Sequence, residues 1–176
     1  IVVPSDPFEL FKVLHEAINY KDSVYIRLTA GSNTKIINNK DYKFKIGKAV
    51  EILPGKDVAI VGCGNILGNC IEATSILRKK NIQCSVVNMH TIKPIDDKKI
   101  KSLAKENKLI VTVEEHNVIG GLGTSVAEVL ASERNNCKLV RIGVNDFYSS
   151  GGSYEYLKDI YGLSVEKIIK TVILNL

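Results

Sequence analysis

A chain of 176 residues, 45% apolar and 24% charged, is large enough for one domain, or one domain plus a piece of another, with a real core. Its net charge of +5 comes from scattered lysines, and the densest group (Lys35, Lys40, Lys43, Lys45, Lys48) reads as a solvated loop or an anion contact; only Tyr42 and Phe44 are interleaved with it, so nucleic-acid binding is not supported. No apolar run approaches the ~18 residues needed to span a membrane, no signal peptide is visible, and a chain opening on Ile1 rather than Met reads as a fragment or one whose beginning is missing.

Ile1-Val2-Val3 reads as the end of a buried strand. Asp6 then offers an N-cap, Pro7 the first helical position, and Glu9 the partner that closes a capping box. Phe8, Phe11, Leu14 and Ile18 repeat at helical spacing. Residues 24–28, VYIRL, read as a second strand. This βαβ piece is a poor core by itself and needs neighbours. Residues 30–54 are rich in Asn, Lys and Gly and read as a linker, with one short extended piece at 42–46. A composition shift at 55–57 opens the second unit.

Residues 57–62, DVAIVG, form a strand, and Ile66, Cys70, Ala73 and Leu77 continue it as a helix that Asn81 ends. The next strand is 84–89. Asp96 caps a helix through Ile100, Leu103 and Ala104 that ends near Asn107. Leu109-Ile110-Val111-Thr112-Val113 is rich in β-branched residues and suits a buried strand. A polar tip of Glu114, Glu115 and His116 follows, then Gly120, Gly121 and Gly123, then a helix with Val126, Val129 and Leu130. Residues 138–142 are a further strand and 145–152 a loop. A short helix from Ser153 is closed by Gly162. Ser164 caps the last helix, with Val165, Ile168, Ile169 and Val172 on one stripe. Strands alternating with helices predict an α/β fold: a three-layer α/β/α sandwich around a mainly parallel sheet.

Gly62-Cys63-Gly64-Asn65-Ile66-Leu67-Gly68 joins a strand to a helix as a dinucleotide fingerprint would. The next strand should then end in an acid for the ribose, but it ends Val87-Asn88-Met89-His90. The motif therefore reads as a tight βα turn, with NAD or another anion as the alternatives. Cys63, Cys70, Cys84 and Cys137 show no metal spacing and no Cys-x-x-Cys. Three lie in apolar settings that suit reduced, buried thiols, hence a reducing, cytoplasmic setting. His15, His90 and His116 have no metal spacing either.

The polar tip lies at the carboxyl end of its strand, where open α/β sheets place ligands. Glu114 and Glu115 are adjacent on an extended chain, so their side chains point to opposite faces and do not form a shared-proton pair. His116 is either a general base or a hydrogen-bonded residue at a strand end.

Thr-Val-Glu-Glu-His at 112–116, followed by Gly-Gly-Leu-Gly at 120–123, resembles the C-terminal domain of transketolases. Thr91-Ile92-Lys93-Pro94-Ile95-Asp96 and Val3-Pro4-Ser5-Asp6 resemble the same family, in its order. The resemblance implies that residues 1–45 are the tail of a pyrimidine-binding domain and the start of a linker. Residues 46–55 are then the linker and 56–176 the C-terminal domain, with a mixed five-stranded sheet. It also implies a two-carbon ketol transfer between sugar phosphates, using thiamine diphosphate and magnesium in the complete enzyme and none bound by this fragment alone. The activating glutamate and the diphosphate and metal ligands lie upstream, so no catalytic, cofactor or metal residue is carried over.

The family usually reads Ile-Arg-x-x-Arg, the second Arg gripping the sugar phosphate; here the chain reads Ile26-Arg27-Leu28-Thr29-Ala30. A bidentate clamp is missing, which keeps deoxyxylulose-phosphate synthases and ketoacid dehydrogenase β-subunits open. The substrate or interface residues implied are Arg27, His116, Gly120 and Gly121, at an active-site rim near the family's subunit contact. The implied partners are the remaining domains or subunit of the enzyme and further copies of itself. A non-catalytic association domain and an NAD-binding module are the readings from other classes.

Overall fold

The structure is a computed structural model that describes residues 1–29, 36–37, 42–132, 134 and 136–176. One sheet of five strands organises it, in the order β1-β3-β2-β4-β5. The strands are β1 (Val50–Leu53), β2 (Val58–Gly62), β3 (Cys84–Asn88), β4 (Leu109–Asn117) and β5 (Lys138–Val144). β2 runs parallel to both β3 and β4, and β4 parallel to β5, while β1 pairs antiparallel with β3. The sheet is therefore mixed and mainly parallel, with helices on both faces.

Alternation along the strands sorts the core into two layers. Val58, Ile60, Val86, Val111 and Val113 point to one face, against Leu67, Cys70 and Leu77 of α2 (Leu67–Lys79) and Ile168 and Val172 of α6 (Val165–Asn175). Ala59, Val61, Val87 and Ile110 point to the other, against Ile100 and Leu103 of α3 (Asp97–Glu106) and Leu122 and Val126 of α4 (Leu122–Ala131). All five residues of β2 are buried, as a central strand covered on both faces must be. Each fully buried large side chain here contributes roughly 1.5–3 kcal/mol.

Local signals set the helix ends. Asp96 accepts from the Lys99 amide and starts α3, which stops at Asn107. Asn81, just past α2, takes a left-handed φ of 63°, as a residue after a helix end does. Ser153 caps α5 (Tyr154–Ile160), and Gly162 follows it with φ 76°.

The N-terminal part differs from expectation. Residues 24–28 form no strand; Ile26 makes one parallel bridge to Val2, and Val2 bridges Thr91 antiparallel on its other side. Residues 42–46 are not a strand, although Phe44 and Ile46 are buried with Val2 and Val13 in a small cluster of their own. The edge strand β1 lies inside the predicted 46–55 linker. Its four residues are at most half buried and do not alternate, so the sequence pattern carried no strand signal. Ala30, Lys35 and Lys40 lie outside the described residues.

Helix α1 (Pro7–Ile18) begins as its cap predicts: Oδ1 of Asp6 accepts from the Glu9 amide at 2.7 Å. The capping box does not close on Asp6, because Oε2 of Glu9 reaches back to Ser5 instead. The helical stripe itself faces outward. Phe11 is 78% and Ile18 83% exposed, whereas Glu9 and Val13 are fully buried.

Candidate functional site

The polar groups gather at the carboxyl ends of β3 and β4. At β4, the strand runs past its apolar part through Glu114, Glu115 and His116 before it ends at Asn117. Glu114 turns to one face. Its carboxylate accepts from the amides of Leu122 (2.6 Å) and Gly123 (2.8 Å), the first residues of α4. These amides have no partner within the helix, and a carboxylate there also meets the positive end of the helix dipole. Burial pushes the Glu114 carboxyl above its ordinary range, against the two amide bonds and the fields of Arg27 and Arg141 that favour its charge. Gly121 is buried directly against that carboxylate.

Glu115 turns to the other face. Its Oε1 accepts from the Tyr154 hydroxyl of α5, while its backbone carbonyl accepts from Nη2 of Arg27 at 2.7 Å. Burial and the bond to Glu115 push the Tyr154 phenol above its ordinary range, and Asn65 hydrogen-bonds the same phenol. His116 is exposed, and partial desolvation together with the Arg27 charge holds its imidazole below the usual range. Gly120 is exposed at φ 77°, its amide donating to Oγ1 of Thr124.

The structure therefore brings Arg27, Glu115 and His116 together at the strand tip. Gly120 stands further out, beside a groove with Ile92, Ile95 and Ser125. Gly121 serves Glu114 rather than an outer surface.

A second polar cluster joins α1 to the end of β3. Oε1 of Glu9 accepts from Nδ2 of Asn88 at 2.7 Å and from the Tyr42 hydroxyl, and Oε2 accepts from the Ser5 amide (2.7 Å) and hydroxyl (2.8 Å). Next to it His90 is buried, its ring 4.2 Å from that of Phe44 and its Nδ1 2.8 Å from Oγ1 of Thr91. Sequence reasoning missed this cluster. Its signal was Asn88 where an acid was sought, and a glutamate set between Phe8 and Phe11 but off their stripe.

The Gly62–Gly68 turn is a close βα contact. A Cβ on Gly62 would lie 3.2 Å from Leu67 and 3.3 Å from Cys70, and one on Gly64 would lie 3.0 Å from Val3. Cys63, Cys70 and Cys84 are free and buried, and burial holds the Cys70 thiol at about 12. No group of three metal-ligating side chains occurs among the described residues. Glu114 already fills the α4 N-terminus, and Val3 covers the Gly64 turn, so a diphosphate fits neither place. No helix among the described residues is long and apolar enough to cross a membrane.

Comparison with known proteins bears on this geometry. The profile of the transketolase C-terminal domain matches residues 47–168. A Methanocaldococcus jannaschii protein provisionally named as a transketolase C-terminal section is 38% identical over 174 residues, covering 98% of this chain and 54% of that protein. A 1-deoxy-D-xylulose-5-phosphate synthase of Dictyoglomus turgidum is 35% identical over 98% of this chain and 28% of its own length. A solved structure titled as a split gene transketolase, inactive beta4 tetramer, superposes with a TM-score of 0.88 at 33% identity, covering 99% of this chain and 56% of that one. The chain thus spans about half the length of the first of these relatives or less.

Proposed function

This chain belongs to the transketolase C-terminal domain family, and on that premise we propose that it is the C-terminal section of a thiamine-diphosphate enzyme that transfers a two-carbon ketol unit between sugar phosphates. It works with the diphosphate- and pyrimidine-binding portion of that enzyme, which holds the cofactor and magnesium. Bound there, thiamine diphosphate supplies the carbanion-stabilising chemistry. This section supplies assembly and the rim of the active site, through Arg27, His116 and Gly120, with Gly121 beneath them against Glu114. Residues 1–45 are the tail of the pyrimidine-binding domain, and the C-terminal domain begins just ahead of β1. The buried free thiols agree with a reducing, cytoplasmic setting.

The observation that carries this reading is the outward face of α1. A helix with an apolar stripe normally buries it. Here Phe8, Phe11, Leu14 and Ile18 are exposed while Glu9 and Val13 are covered. The stripe is the contact for the rest of the pyrimidine-binding portion. The test is Phe11→Glu with Ile18→Lys, in this chain and in the complete enzyme. The chain alone keeps its thermal midpoint, since exposed substitutions cost at most about 0.5 kcal/mol. The complete enzyme loses assembly and ketol transfer. Assembly at the parent affinity would overturn the reading.

The similarity to a deoxyxylulose-phosphate synthase favours a second substrate class, with pyruvate as the two-carbon donor. The absence of an Arg at position 30 keeps this class open. Supplying the complete enzyme with a ketose phosphate or with pyruvate separates the two.

A further inference from the structure

The carboxyl end of β4 is crossed by a segment that barely packs on what it crosses. Residues 145–156 are all exposed, Tyr148 completely, and α5 has no buried residue. The segment is nevertheless ordered within itself. The Ser150 amide donates to the Tyr161 hydroxyl at 3.1 Å, and Nζ of Lys158 lies 2.8 Å from Glu155 and 4.7 Å from the Tyr154 ring centre. Both ends are fixed. At one, the Val118 amide donates to the Val144 carbonyl at 2.9 Å. At the other, Leu163 is buried and its carbonyl accepts from Asn69 of α2 at 2.9 Å. Gly162, with a left-handed φ and open space around it, stands next to that anchor.

Between the ends, polar contacts tie the segment to the sheet. Tyr154 reaches Glu115 and Asn65, and Nδ2 of Asn117 donates to Asp146 at 3.3 Å. Glu115 is also the residue whose carbonyl holds Arg27, and its Oε2 is buried without a partner in the described structure. A carboxylate with one oxygen unsatisfied is a poor permanent partner for a buried site and gains from solvent when uncovered.

We propose that residues 145–160 form a strap that opens as one unit, with the Tyr154 hydroxyl on Glu115 as its catch and Gly162 as its hinge. Opening breaks a few polar contacts and the ring contact of Phe147 with Tyr161, which packs on the core, and exposes little other apolar surface, which places the strap among the least stable parts of the fold. It uncovers Glu115 and Asn65 beside Arg27. The catch thereby joins the strap to the N-terminal segment, because the same residue that holds Tyr154 by its side chain holds Arg27 by its backbone.

Native-state hydrogen exchange on the full chain, read by mass spectrometry, tests this. In Tyr154→Phe, the amides of 154–160 exchange about tenfold faster, as loss of one charge-assisted bond implies, while α2, α4 and β2 keep the parent rates. Glu115→Ala does the same. Glu115→Gln keeps an acceptor oxygen and shows a smaller change. Unaltered exchange in 154–160 would overturn the proposal. So would an increase shared by α2 and α6, since the bond would then belong to the global fold rather than to a catch.

Discussion

A Cβ placed on Gly121 would stand 2.0 Å from Oε2 of Glu114. The glycine exists at that position because a buried carboxylate occupies the space its side chain would take. Gly121→Ala pushes the carboxylate off the amides of Leu122 and Gly123, and Glu114→Ala removes it. Each change leaves buried donors unpaired and costs about 1–3 kcal/mol. Calorimetry reads this as a midpoint lowered by roughly 3–10 °C. The double variant loses less than the sum, because Ala at 114 frees the room that Ala at 121 needs. Strict additivity would refute the steric account.

Glu9 is another buried carboxylate, and it holds α1 to β3 through Asn88. Glu9→Ala takes the acceptor from buried donors of Ser5, Asn88 and Tyr42 and destabilises by about 1–3 kcal/mol or more. Glu9→Gln rescues it in part, since its oxygen keeps one set of donors while its NH₂ needs a hydroxyl or the Asn88 oxygen to accept. Tyr42→Phe removes one bond at a half-buried edge and costs about 1 kcal/mol. Urea unfolding ranks the three. A Gln variant as stable as the parent would show that the carboxylate is not what the network needs.

These two acids show what a sequence can and cannot reveal. That Glu114 and Glu115 diverge follows from strand alternation, and the structure sends one to α4 and the other to α5. Their targets depend on helices packed from elsewhere in the chain, which spacing does not encode. The bounds of α3 were legible because Asp96 and Asn107 are local signals. The helical spacing of α1 was equally legible, but spacing alone does not say which face the rest of the chain covers. Strand β1 was invisible because Val50–Leu53 is short, half buried and irregularly paired. His116 at the tip was legible from the strand pattern and Arg27 as a substrate or interface residue through the family resemblance, whereas nothing in the sequence tied Tyr154 and Asn65 to Glu115 or Glu9 to Asn88.

His90 gives the fold a pH dependence. Burial holds its imidazole below the ordinary 6.5, although Glu9 and Asp96 nearby favour the charged form. The folded state therefore keeps His90 neutral at a pH where the unfolded chain already binds a proton. Stability is full above about 6.5 and falls as pH drops below it, by up to ~1.4 kcal/mol per pH unit, until the folded value is reached. The difference between parent and His90→Gln unfolding energies from pH 7.5 to 5 isolates this contribution from that of Glu114. A flat difference would mean that His90 is solvated in the native protein.

His116 is exposed near the end of β4 and shares its surroundings with Arg27. In the complete enzyme His116→Ala lowers turnover by less than about tenfold, or weakens assembly. A general base contributes ~10²–10⁴-fold. Steady-state kinetics beside sedimentation decide it. A thousandfold loss of turnover with assembly and cofactor binding intact would assign chemistry to this residue.

Val2 lies between Ile26 and Thr91, bridged to both. On one side it pairs within its own neighbourhood, and on the other with a segment that is synthesised much later. At ribosomal speeds of about 5–20 residues per second, the ninety or so residues between them take roughly 5–20 s to emerge. During that interval Val3 and Glu9 lack His90 and Asn88, their partners at the end of β3. A nascent chain stalled before residue 88 should therefore leave α1 open to protease, and one extended beyond residue 93 should close it. Residues 1–18 are made before the strand end they pack on, so the delay falls on the helix whose apolar stripe faces outward.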